Sequence, residues 1–129
     1  MEMIPIEKDT NLPYILIPYF LFEDRYSDLK IIDRFLYAIL FYEYKKSINR
    51  EQKDTTGYYI LIPQKELLSL LNCTQPTLIN SFKRLKNKRL VDNKVINQLN
   101  NKIYLLPPDI DENPKYKKGF FSDEDIYAE

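Results

Sequence analysis

The stretch from Leu71 to Val91, LNCTQPTLINSFKRLKNKRLV, combines an apolar repeat with a concentration of basic residues. Leu78, Ile79, Phe82 and Leu85 recur at intervals of three and four, the spacing of one buried helix face. The other face is expected to carry Thr77, Asn80, Arg84 and Asn87, flanked by Pro76, Ser81 and Lys88. The stretch therefore predicts an amphipathic helix with a core face and a polar outer face.

The ends of this helix can also be read from the sequence. Thr74 is a good N-cap residue and Pro76 suits a first helical turn, so the helix is expected from about Gln75 to Asn87. A shorter helix opens at Pro63 before it and is expected to bury its four leucines, Leu67, Leu68, Leu70 and Leu71. Asn72 and Cys73 separate the two helices, and Cys73 is expected to pack inward.

The remaining elements follow from other apolar patterns. Residues 29–44 predict a long buried helix, because Leu29, Ile32, Leu36, Ile39 and Leu40 recur at helical spacing, with Phe35 widening the apolar face. The run YYILI at 58–62 predicts a buried strand. Residues 90–96 and 102–106 predict a hairpin, and residues 12–22, interrupted by two prolines, an extended arm.

This order of elements is that of a winged helix-turn-helix, an α+β fold of three helices plus a small β-sheet or wing. We expect an N-terminal arm at 1–27 that also forms a dimer interface, a DNA-binding domain at 28–106, and an acidic, flexible tail at 107–129. In such a domain the third helix enters the major groove of DNA.

The charge distribution favours a polyanionic partner. The formal net charge is zero, yet residues 75–102 carry seven basic residues and one acidic residue, a net charge of +6. Residues 109–129 carry seven acidic residues and three lysines, a net charge of −4. A local basic field attracts nucleic acid even when the whole chain is neutral.

The candidate site residues divide by chemistry. Amide, hydroxyl and guanidinium side chains contact base edges, and the candidates are Gln75, Thr77, Asn80, Ser81 and Arg84. Basic side chains hold phosphates without sequence preference, and the candidates are Lys83, Lys86, Lys88, Arg89, Lys94 and Lys102. The wing tip is expected to present Asn97, Gln98, Asn100 and Asn101.

Composition argues against most catalytic chemistry. With no histidine and one cysteine, the chain has neither an imidazole base for a nucleophile nor a zinc site. Two glycines allow no phosphate-binding loop. Carboxylate clusters such as SDED at 122–125 are interpreted as solvated tail charge, so no enzyme activity, metal or cofactor is expected.

Several short motifs, spread over about residues 13–106, resemble one family. They are Ile17, Pro18, Leu21 and Phe22 in the arm, Tyr37 in the first helix, Asp54, Gly57, Tyr59 and Ile60 before the second helix, and Leu71, Cys73 and Thr74 at the turn. In this order they are similar to the N-terminal domain of plasmid replication initiators of the RepA type from low-GC Gram-positive bacteria. The resemblance implies a dimeric winged helix that binds repeats at a replication origin.

The predicted function is therefore sequence-specific binding of double-stranded DNA in plasmid or mobile-element replication initiation. A small transcriptional repressor on the same fold is the first alternative, and a non-enzymatic protein-interaction adaptor is the second. The expected partners are double-stranded DNA, a second copy of the chain and a host replication protein. The longest apolar runs are too short to span a bilayer, and the absence of a basic, signal-like start favours a cytoplasmic protein.

Overall fold

The computed structural model describes residues 13–95 and 101–108. Its three helices are α1 (Ile31–Asn49), α2 (Gln64–Leu71) and α3 (Gln75–Asn87), and its hairpin strands are β1 (Val91–Val95) and β2 (Asn101–Leu105). Two short 3-10 helices, Tyr19–Phe22 and Asp24–Tyr26, precede α1. The prediction of a winged helix is confirmed, and α3 has the predicted bounds.

The core lies between the three helices and the hairpin. α1 contributes the largest apolar surface, with Leu36, Tyr37 and Leu40 fully or almost fully buried. α3 contributes Leu78 and Leu85, and the hairpin contributes Val91 and Ile103. Burial of these side chains supplies most of the free energy that holds the elements together.

Each of the three helices is followed, within two residues, by a non-glycine residue in the left-handed region. These residues are Glu51 (φ 54°), Asn72 (φ 50°) and Arg89 (φ 58°). After each one, the next backbone N–H bonds back to a carbonyl five residues earlier, as from Leu90 to Leu85 at 3.0 Å. This is the Schellman arrangement that glycine usually completes. The two glycines of the chain lie at other positions.

The hairpin is antiparallel, with Val91 opposite Leu105 and Asn93 opposite Ile103. The buried strand predicted at 58–62 is wrong in extent, because only Ile60 pairs with the hairpin, through two hydrogen bonds with Ile103 of 2.8 and 3.0 Å. The backbone groups of the adjacent Tyr59 bond instead to Gln52, which limits the third strand to one bridge.

The N-terminal segment is extended only in part. Residues 13–18 have no regular structure and are mostly exposed, whereas Phe20, Leu21 and Tyr26 are buried. The extended segment predicted at 12–22 therefore ends at Pro18. Arg34 of α1 fixes the 3-10 segments by donating to the carbonyl oxygens of Leu21 at 2.9 Å and Tyr26 at 3.4 Å.

Some side chains expected in the core lie outside it. Phe35, Leu70 and Ile79 are exposed on α1, α2 and α3. Each lies at the edge of an apolar helix face, where a rotation of the helix by a fraction of a turn moves a side chain into solvent. Cys73 is partly buried and packs against the core, as expected.

Candidate DNA-binding surface

A buried carboxylate on α1 fixes the orientation of α3. Asp33 has no exposed surface and accepts hydrogen bonds from three residues. Arg84 donates to it through Nε at 2.7 Å and Nη2 at 3.0 Å, and Ser81 donates through Oγ at 2.6 Å. The backbone N–H of Lys30, at the start of α1, donates at 2.8 Å. Asp33 therefore caps α1 and binds α3 at two positions one turn apart.

Two opposing effects act on the pKa of Asp33. Burial alone tends to raise the pKa of Asp33, but the hydrogen bonds from Arg84, Ser81 and Lys30 together hold that pKa below its ordinary value. The same contact raises the pKa of Arg84. The carboxylate is thus ionised and fully hydrogen-bonded, which a buried charge requires to be tolerated.

Two of the residues predicted on the outer face of α3, Ser81 and Arg84, contact Asp33 of α1. Ser81 is fully buried against Asp33, so its placement among base contacts is wrong. Arg84 is partly buried, and Asp33 accepts the guanidinium hydrogen bonds that guanine was expected to accept. The physical reason is that Asp33 binds both side chains, which leaves Ser81 fully buried and Arg84 partly buried.

The actual outer face of α3 is displaced by part of a turn. Its exposed residues recur at helical spacing and are Gln75, Pro76, Ile79, Asn80, Lys83, Lys86 and Asn87. Thr77 lies at the border, half-buried, with its Oγ1 2.9 Å from that of Thr74. The face bears amide and ammonium groups and no acidic residue.

The basic residues differ in their availability. Lys88 pairs with Asp28 at 2.8 Å, and Lys102 pairs with Asp54 at 2.8 Å. Within the described residues, no carboxylate lies in ion-pair range of the remaining four cations, which are Lys83, Lys86, Arg89 and Lys94. These four form the unneutralised part of the predicted basic segment. Lys86 also donates to the amide oxygen of Asn93 on β1 at 2.6 Å.

A second carboxylate fixes the hairpin. Asp54, in the loop after α1, accepts hydrogen bonds from Lys102 at 2.8 Å and from the Tyr104 hydroxyl at 2.7 Å, both on β2. These two bonds hold the pKa of Asp54 well below its usual range. Because Lys94 lies opposite Lys102 across the hairpin, the Asp54 charge also reduces repulsion between the two lysines.

Sequence reasoning missed the acidic residues that organise this surface. Asp28, Asp33 and Asp54 lie 60, 51 and 48 positions from the cations they bind. For Asp33 a signal existed, because it interrupts the apolar repeat of α1 between Ile32 and Leu36. The predicted wing tip, Asn97, Gln98, Asn100 and Asn101, and residues 109–129 of the predicted acidic tail lie outside the residues whose side chains are described.

The geometry agrees with the result of a family comparison. The model of the replication initiator protein A (RepA) N-terminus matches residues 13–118. The chain belongs to this family. The match confirms the resemblance found in the sequence motifs, and it includes α1, α2, α3 and the hairpin in one replication initiator domain.

Solved structures support the same fold for this initiator domain. A "Rep-DNA complex" aligns with a TM-score of 0.70 at 24% identity over 98% of this chain and 96% of that chain. An "N-terminal domain of DNA binding protein" aligns at 0.71 and 24% over the same fractions. An "MDR initiator" aligns at 0.67 and 28%, over 91% and 95%. A comparison with curated proteins gives no significant match.

No helix in the described ranges 13–95 and 101–108 is long and apolar enough to cross a membrane.

Proposed function

We propose that this initiator domain binds a specific double-stranded DNA sequence by placing the outer face of α3 in the major groove. The observation that carries the proposal is the composition of that face, where Asn80 and Lys83 are exposed and acidic residues are absent. An ordinary soluble surface mixes both signs of charge. A face whose polar groups are amides and cations, with no carboxylate, matches base edges flanked by phosphates.

Within this proposal the side chains have separate tasks. Asn80, at the centre of the face, has the amide geometry that pairs with adenine, and Gln75 has the same chemistry at the start of the helix. Gln75 is only weakly held by Gln64 of α2 at 3.5 Å, so its amide is available. Lys83, Lys86, Arg89 and Lys94 bind phosphates because no carboxylate in the described part of the chain neutralises them.

We assign the bound DNA to repeats at a replication origin. Family membership supports a role in initiation, and the related structure described as a Rep–DNA complex supports DNA as the partner. A host replication protein as a second partner and a cytoplasmic location follow from this role and belong to the same proposal.

Selection of bound duplexes from a random pool tests the proposal. We expect a single enriched sequence, and a labelled duplex of that sequence should bind much more tightly than a scrambled duplex of equal length and composition. Equal affinity for both duplexes would contradict sequence-specific binding. Failure to bind any duplex would favour a protein-interaction adaptor on the same fold.

We also propose that the chain dimerises through its N-terminal arm. Tyr14, Ile15, Leu16 and Ile17 are consecutive exposed apolar residues, and contiguous apolar surface of this kind marks interaction sites. Sedimentation velocity at tens of micromolar should show a dimer, and deletion of residues 1–18 should leave a monomer. A full chain that sediments as a monomer under these conditions would contradict the proposal.

A further inference from the structure

Ile79 is an apolar residue on the proposed DNA-binding face. It is 40% exposed, and its neighbours on that face, Pro76, Asn80 and Lys83, are exposed as well. The sequence pattern assigned Ile79 to the core. In the structure Ser81 is buried instead, one turn after Leu78, because it donates a hydrogen bond to Asp33. The apolar side chain of Ile79 therefore lies among exposed polar residues of the outer face of α3.

Exposure alone is not evidence for a role, since single exposed apolar side chains are common on protein surfaces. Ile48 near the end of α1 is 39% exposed and has no comparable setting. Ile79 differs because it lies beside Asn80 and one turn before Lys83, on the face that would meet base edges. In the proposed complex, Ile79 would therefore face the base edges of the major groove.

The major groove offers one apolar group among the base edges, the C5 methyl group of thymine. We propose that Ile79 contacts a thymine methyl group in the bound site and thereby determines specificity beside Asn80. This inference rests on the proposed function. It is supported by the engagement of Arg84 with Asp33, which leaves an amide and an aliphatic group, both suited to A·T pairs, at the centre of α3.

Replacing thymidine by deoxyuridine removes only this methyl group and keeps base pairing. The probe is the duplex that the wild-type chain selects from a random pool, with each thymidine replaced in turn. At one thymidine we expect the wild-type affinity to fall about three- to fivefold, as burial of one methyl group implies. The measurement is fluorescence anisotropy with labelled duplex.

Variants assign the effect to Ile79. Ile79→Ala should bind the thymidine duplex more weakly and lose no further affinity on deoxyuridine replacement at that position. Ile79→Val, which keeps a branched end, should retain most of the sensitivity. Ile48→Ala is the matched control, because it truncates an equally exposed isoleucine and should leave both affinity and sensitivity unchanged. Ile79 is exposed and alanine favours helix, so folding is preserved, and circular dichroism checks it.

The outcomes separate this inference from the proposed function. Specific binding without deoxyuridine sensitivity overturns the role of Ile79 and leaves sequence-specific binding intact. Equal sensitivity in the wild type and Ile79→Ala also overturns it, because another group must then contact the methyl. Absence of any selected duplex overturns both proposals.

Discussion

Arg84 of α3 donates two hydrogen bonds, of 2.7 and 3.0 Å, to the fully buried carboxylate of Asp33 on α1, 51 positions earlier in the chain. The paired geometry matches the planar fork of a guanidinium to both carboxylate oxygens. Ser81 completes the contact from the preceding turn. The pair fixes the rotation of α3 about its axis, and this rotation decides which side chains face the solvent.

We therefore expect Arg84→Ala to act mainly on stability. Removing the cation leaves Asp33 buried and uncompensated, which should lower the free energy of unfolding by about 3–5 kcal/mol. Urea denaturation measures the change. Lys83→Ala, an adjacent exposed substitution, should change stability by less than about 0.5 kcal/mol. A stable Arg84→Ala variant that has lost only specificity would show that Arg84 contacts bases instead.

Asn80→Ala should act on specificity and not on stability. Asn80 is exposed at the centre of the outer face, so its loss should cost about 1–3 kcal/mol on the selected duplex and little on random duplex. Anisotropy titrations with both duplexes measure the two effects. Asn49→Ala, which removes an exposed amide from the end of α1, is the control and should change neither. Equal losses on both duplexes would assign Asn80 to phosphate.

Thr74 and Pro76 predicted the start of α3, and the apolar spacing predicted most of its core face, since Leu78 and Leu85 are buried and Phe82 packs against the core. The pattern could not place Ser81 or Ile79. Ser81 is polar and was assigned outward, yet it is buried because it has a partner, Asp33, in a distant helix. Propensity and spacing describe one segment at a time, whereas burial of a polar group depends on hydrogen bonds between segments.

The basic segment at 75–102 was predicted from its net charge of +6. A net charge does not show which cations are paired. Three cations of this segment form ion pairs, with Asp28, Asp33 and Asp54. The end of α1 was also hard to place: the helix predicted at 29–44 continues to Asn49, and Glu51 takes the position where glycine is the usual signal.

Pairing should be visible in the salt dependence of DNA binding. Lys83→Gln removes a cation with no carboxylate partner in the described residues and should reduce the slope of log affinity against log salt by about one. Lys88→Gln removes the same charge from a lysine held by Asp28 and should reduce the slope less. Titrations at several salt concentrations compare the two variants. Equal reductions would mean that Lys88 leaves Asp28 when DNA binds.

The Asp54 contacts should make stability depend on pH. Because its pKa is lowered in the folded state, Asp54 contributes stability that is present above the unfolded pKa of about 4 and is lost as the pH falls towards the folded value. Asp54→Asn should therefore be less stable than the wild type at neutral pH, with the difference shrinking below pH ~4. Urea midpoints across this range measure it. A difference that stays constant with pH would contradict an ionised Asp54 as the source.

Arg89 should show opposite effects on stability and on DNA binding. Its left-handed conformation disfavours a side chain by about 1–2 kcal/mol, and after the entropy of glycine in the unfolded state is deducted, Arg89→Gly should stabilise by about 0.5–1 kcal/mol. The same change removes a phosphate-binding cation, so affinity for selected and random duplex should fall together, with a salt slope reduced by about one. Glu51→Gly is the matched control, since it relieves the same conformation at the end of α1 and should stabilise without weakening binding. Urea denaturation measures the stability of both variants, and anisotropy titrations measure their affinity for DNA. If Arg89→Gly gains stability and keeps full affinity for DNA, Arg89 does not contact phosphate, and the basic surface is confined to the three lysines, Lys83, Lys86 and Lys94.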